Sequence, residues 1–147
     1  MCDHCGCRAY PPVAELTAEH EEILDRAWQL AEADRAGGPP APGAVDDLVR
    51  LLDVHVAKEE TGLYPQLIVQ DGLSAERLVE LEDEHRELRE ALLSGAFDRR
   101  DFFALAAHIE SEEMELFPLA MLGFDDDEWD ALDDAHRRAD GRGVVVR

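Results

Sequence analysis

Two stretches of the chain carry one eleven-residue pattern, HVAKEETGLYP at 55–65 and HIESEEMELFP at 108–118. Each holds a histidine, a glutamate four residues later, a second glutamate beside it, then leucine, an aromatic residue and proline. An α-helix turns about 100° per residue, so a side chain at i+4 returns to within about 40° of its starting direction. His55 and Glu59 therefore share a helix face, as do His108 and Glu112. An imidazole and a carboxylate one turn apart can close on a metal ion, so the doubled pattern points to two ions or to one shared by both pairs.

The elements that position these pairs follow from the apolar spacing. Val13, Leu16, Ile23, Leu24, Ala27 and Leu30 mark one stripe of a first helix, with His20 in that stripe, and the GGPPAPG run at 37–43 ends it. A second helix begins near Val45 and carries Leu48, Leu52, His55, Glu59 and Leu63 at spacings of three and four. Pro65 is expected to kink or end it near Tyr64, with a bent course through Val69 before the Asp71-Gly72 turn. Ser74 is the predicted cap of a third helix, whose stripe of Leu78, Leu81, His85, Leu88 and Leu92 closes at Ser94-Gly95. Asp98 or Asp101 caps a fourth, with Phe102, Leu105, His108, Glu112, Leu116 and Leu119 as its buried line and Pro118 in the role of Pro65. The remainder reads as a short acid-capped helix docked by Trp129 and Leu132, followed by a frayed tail on which His136 is a surface residue.

The expected fold is all-α: an up-and-down antiparallel four-helix bundle with a short C-terminal fifth helix. It divides into a Cys-rich lead (1–12), the bundle (13–122) and the C-terminal helix and tail (123–147). A chain of 147 residues suffices for one domain with a core, and abundant Leu, Ala and Glu favour helix. The net charge of −21, with 14 Lys and Arg, excludes nucleic acid and anionic membrane surfaces as natural partners. No apolar run approaches the ~20 residues of a membrane span. No basic-then-apolar leader marks export, so the expected location is cytoplasmic.

Six ionisable residues thus fall on inward faces: His20, His55, Glu59, His85, His108 and Glu112. Two unpartnered carboxylates in a bundle core would cost several kcal/mol each or become neutral. A metal pair removes that cost. Any one of these histidines alone reads as a hydrogen-bonded core residue, and either glutamate alone as a solvated one; the repeated spacing argues against both. Glu60 and Glu113, at i+5, point about 140° from the histidines, which suits a polar flank or a hydrogen bond to a ligand better than ligation. Tyr64 matches Phe117 in the repeat, as packing residues would, although its phenol lies within reach of the metals. Imidazole with carboxylate suits iron, manganese and zinc alike.

With the doubled His-x-x-x-Glu-Glu-x-x-Leu-aromatic-Pro pattern, residues 13–122 resemble the hemerythrin-like family, the HHE cation-binding domain. The resemblance implies a four-helix bundle around two non-haem irons, bridged by two carboxylates and an oxo or hydroxo group. It implies His20, His55, His85 and His108 as terminal ligands and Glu59 and Glu112 as bridges. Oxygen-carrying members have a further histidine one turn after the third helix's ligand, where this chain has Arg89. The departure turns the expectation from oxygen carriage to binding or reaction of small species such as O2, peroxide or NO. Sensing, scavenging, peroxide-decomposing or NO-reducing enzyme activity, and a metal-responsive interaction module all remain open.

The lead peptide holds Cys2, His4, Cys5 and Cys7 within six residues. Structural zinc sites gather two separated pairs, so a thiol redox role or a lid over the metal cavity stands beside metal binding. Deleting residues 1–8 and counting metal per chain separates them: the expected outcome is an unchanged count, and a lower one places a metal in the lead.

Overall fold

The computed structural model describes residues 10–145, with side chains as far as Gly141, so the predicted thiol site of Cys2, His4, Cys5 and Cys7 lies outside the described residues. Helix α1 (Pro11–Arg35) opens after an extended Tyr10. It starts two residues before the predicted Val13 because prolines in a first turn lose no helical hydrogen bond. Helix α2 (Ala44–Lys58) follows Gly43, whose φ of 78° suits glycine, and carries Asp46 and Asp47 in its first turn.

Pro65 does not end this helix at Tyr64. The chain widens into a π-helical turn (Glu59–Leu63) and continues as α3 (Tyr64–Val69). Proline lacks an N–H and its ring crowds the carbonyl four residues back. The wider turn accommodates this, with the Tyr64 N–H reaching the Glu59 carbonyl five residues back. Helix α4 (Ala75–Leu93) is capped by Ser74, whose side chain accepts from the Arg77 N–H. Helix α5 (Arg99–Ser111) starts in a reciprocal box between Asp98 and Asp101. The second pattern then repeats the first: a π-helical turn (Glu112–Leu116) leads into α6 (Phe117–Gly123), and Phe117 N–H bonds the Glu112 carbonyl.

Helix α1 packs on α2 and α5, α2 on α4, and α4 on α5, closing a ring. Two apolar clusters fill it. Val13, Leu16, Leu63, Leu67, Leu81, Leu116 and Phe117 belong to one, and Ile23, Ala27, Leu48, Leu52, Leu92, Leu105 and Ile109 to the other. His20 falls between the two sets along α1, and His55 and Glu59 between them along the second helix. The ionisable residues thus form one polar layer between two apolar ones. Among the described residues there is no strand, and no helix is long and apolar enough to cross a membrane.

The C-terminal segment departs from expectation. It is not short: α7 (Asp126–Val145) runs 20 residues and packs on α1, α2 and the first π turn. Leu132, Ala135, His136 and Ala139 form a stripe at helical spacing, and all four are buried. His136 is therefore not a surface residue; it is 2% exposed, with Nδ1 3.1 Å from a Glu15 carboxylate oxygen. Trp129 stacks on Tyr10 with ring centroids 4.8 Å apart.

This docking needs Gly62. A Cβ there would lie 2.9 Å from Leu132 Cδ1 and 3.0 Å from Ala135 Cβ. Gly62→Ala is expected to destabilise the protein by about 1–3 kcal/mol through overpacking. A lowered Tm by circular dichroism checks this, and an unchanged Tm shows that α7 is not held at that point.

Candidate metal centre

The polar layer is built from outside inward. Each of the four histidines turns Nδ1 to a carboxylate of a neighbouring helix: His20 to Glu113 at 2.7 Å, and His55 to Glu19, His85 to Glu60 and His108 to Glu84 at 2.8 Å each. A carboxylate only accepts, so each Nδ1–H donates and each Nε2 is left facing inward. Glu60 and Glu113 thus meet an imidazole from another helix and do not enter the inner cluster.

Inside that ring the Nε2 atoms converge on Glu59 and Glu112, both wholly buried. His55 Nε2 is 3.3 Å and His20 Nε2 3.6 Å from Glu59 Oε2, and His85 Nε2 is 3.2 Å from Glu59 Oε1. Glu112 Oε1 lies 3.0 Å from His108 Nε2 and 3.5 Å from His20 Nε2. Adjacent ligands on a six-coordinate ion with bonds of ~2.1 Å sit roughly 3.0 Å apart. The observed separations have that size. His20 Nε2, both Glu59 oxygens and Glu112 Oε1 are also buried without a hydrogen-bond partner. Orphaned acceptors of this kind are costly unless a cation takes them up, so the residues present fit a metal pair.

The atoms fall into two overlapping sets, His20, His55, Glu59 and Glu112, and Glu59, His85, His108 and Glu112, each with its ligand atoms within 4.8 Å of one another. The ring centroids of His20 and His55 are 4.6 Å apart at 61°, and those of His85 and His108 4.7 Å apart at 65°. The two sets are therefore near copies. Tyr64 marks a difference between them. Its phenol donates to Glu112 Oε2 at 2.8 Å and lies 3.4 Å from His85 Nε2, whereas Phe117 stacks on His20 with no hydroxyl to offer. Burial first, then the charges of Glu59 and Glu112, push the Tyr64 phenol up, so it keeps its proton.

Arg89 stays outside the centre. It is half-exposed and forks onto Asp53, with Nε 2.9 Å from Oδ1. On the opposite side, Lys58 is 1% exposed and its ammonium is shared by Glu15, Glu19 and Asp140, the last at 3.0 Å. Burial opposes its charge, but the hydrogen bonds it donates to these three carboxylates raise its pKa above the usual ammonium range. Glu19, Glu84, Glu15 and Asp140 lie outside the doubled pattern, and Lys58 lies inside it where the two copies differ. A signal for two of them does exist, since a Glu-His pair occurs at 19–20 and again at 84–85.

A model of the Hemerythrin HHE cation binding domain matches residues 11–120. No curated protein and no solved structure matches the chain.

The charge balance gives a pH signature. Burial disfavours the imidazolium form at every position, yet the facing carboxylates prevail: His85 is raised from 6.5 to about 10, His20 well above 6.5, and His55 and His108 also upward. Protonated imidazoles must release their protons to bind metal. Metal uptake by metal-free protein at pH 7 is therefore expected to release protons, with affinity rising as pH climbs from 6.5 toward 10. The stability of the metal-free fold runs the other way. Raised folded pKa values contribute fully below 6.5, and the contribution is lost as pH rises toward about 10. Calorimetry in buffers of different ionisation enthalpy measures the protons, and zero release contradicts this charge state.

Proposed function

We propose, from the premise that this chain belongs to the hemerythrin HHE cation binding domain family, that it is a non-haem di-iron protein. It binds or reacts with small oxygen or nitrogen species, O2, peroxide or nitric oxide, in sensing or detoxification. The observation that carries this reading is the sharing of Glu59 and Glu112 by two buried histidine pairs. In it, His20 and His55 would hold one iron, His85 and His108 the other, and the two glutamates would bridge them. The bound irons supply one-electron redox chemistry and a place for a small ligand.

The rest is the work of the chain. Four outer carboxylates orient the imidazoles, and the two apolar clusters exclude bulk water from the layer. Tyr64 holds a proton on its phenol oxygen beside Glu112 and His85. Placed there, the phenol would donate a hydrogen bond to a small ligand held beside His85. A groove of about 450 Å³ between α2 and α4, lined by Val56, Glu60, Val79, His85 and Arg89 among others, leads toward that half of the centre. His85 itself is only 5% exposed, which supports a substrate of two or three non-hydrogen atoms. The charge of −21 supports small molecules as partners over nucleic acid or an anionic membrane surface.

A second reading has its own observation. Six ionisable groups in one buried layer make the fold sensitive to metal, as in an interaction module whose order reports iron.

Metal analysis and optical spectra of the aerobic and reduced protein test both. Two irons per chain are expected, with a visible spectrum that changes on adding at least one of O2, hydrogen peroxide or nitric oxide. No response to any of the three rejects the small-molecule reading. Sustained turnover identifies an enzyme and a stoichiometric response a binder. Equal melting of metal-free and iron-loaded forms eliminates the module.

A further inference from the structure

The centre repeats itself residue by residue, and the breaks in the repeat are informative. Glu19 precedes His20 and holds His55; Glu84 precedes His85 and holds His108. Three residues after each held histidine the match fails, with Lys58 in one copy and Ser111 in the other. Ser111 Oγ accepts from Arg77 at 2.6 Å, and Glu84 is 43% exposed and meets no Lys or Arg among the described residues. Lys58 is buried, and its ammonium sits on Glu19 Oε2 while Glu19 Oε1 faces His55 Nδ1. Among the described residues, Glu19 alone of the four outer carboxylates shares its charge with an ammonium or guanidinium group.

We infer that Lys58 is a positioning residue that makes the two metal positions unequal, rendering His55 a weaker metal donor than His108. The inference rests on the metal reading above. A carboxylate on Nδ1–H makes an imidazole more basic toward its metal, and a cation on that carboxylate's other oxygen withdraws part of the effect. The ammonium also opposes a nearby dication directly.

The device is held by α7. Asp140 comes from that helix, and Glu15, the third carboxylate on Lys58, is itself bonded by His136 of α7. Lys58, Glu15 and Glu19 lie within the residues 11–120 matched by the family model, whereas Asp140 and His136 come from α7, beyond them. A purely structural Lys58 would neutralise Glu15, Glu19 and Asp140 and have no preference between the two metal positions.

The sign of the effect tells these apart. Metal-free protein is titrated with Co²⁺ and followed by visible absorption and calorimetry. Wild type is expected to take two ions in two resolved steps. Lys58→Met is expected to tighten one step by about tenfold with the other unchanged, and Glu19→Gln to weaken the same step by about 10–100-fold. Lys58→Arg keeps the charge and is expected to restore the wild-type gap. If Lys58→Met fails to fold, Asp140→Asn carries the test, because Asp140 is 55% exposed. Its loss leaves Lys58 to Glu15 and Glu19 and is expected to weaken that step a few-fold. Lys58→Met that weakens binding, shifts both steps together or changes neither overturns the inference while leaving the metal centre standing. So does an Asp140→Asn variant that binds as wild type. Wild type that takes no Co²⁺ removes the metal reading beneath it.

Discussion

Everything in this molecule answers to the burial of two carboxylates. Glu59 and Glu112 sit at zero exposure, and three of their four carboxylate oxygens have no hydrogen-bond partner, a condition a folded protein sustains only if positive charge is supplied nearby. Four imidazoles supply the surroundings, and each imidazole is held by a further carboxylate at 2.7–2.8 Å. Negative charge thus alternates with ring nitrogen outward from the middle. The outermost members, Glu60, Glu84 and Glu113, are between 30% and 43% exposed, so the last charge in each of these chains meets water.

The helices are shaped by the same demand. A regular helix carrying His55 and Glu59 inward would drift before it could bury both Leu63 and Tyr64. The π turn absorbs the drift, and it falls where proline already disfavours the regular hydrogen-bond pattern. One local defect therefore solves a steric problem and an orientational one, and it does so twice. Apolar clusters on both sides keep the layer narrow, so the ligand atoms of each set stay within 4.8 Å.

Much of this was legible in the sequence because chemistry and periodicity coincide in the doubled pattern. His55, Glu59, His108 and Glu112 announce their shared faces at i and i+4, and His20 and His85 are legible because each sits in an apolar stripe. The all-helical class follows from the same stripes. The partners of Glu60 and Glu113 were not legible, since a side chain 140° from its own ligand says nothing about which imidazole on another helix it will meet. Glu19 and Glu84 were hidden for a similar reason: each adjoins one histidine in sequence and serves a different one in space. His136 reads as a surface residue because its neighbours Asp133, Asp134 and Arg137 are polar, while the packing stripe holds one leucine, Leu132, and two alanines, Ala135 and Ala139, whose apolar signal is faint. The continuation past Pro65 to Val69 is as expected, but the π turn that carries it is not legible, because the rule for proline concerns α-helical hydrogen bonds.

The position of α7 has a consequence for how the protein is made. The six inward residues lie between 20 and 112, whereas the carboxylate that completes the hold on Lys58 is at 140 and is translated afterwards. At roughly 5–20 residues per second, a nascent chain has on the order of seconds in which all six have been synthesised and the last helix has not. Vectorial synthesis thus makes the six inward residues before the helix that covers Lys58 and the first π turn.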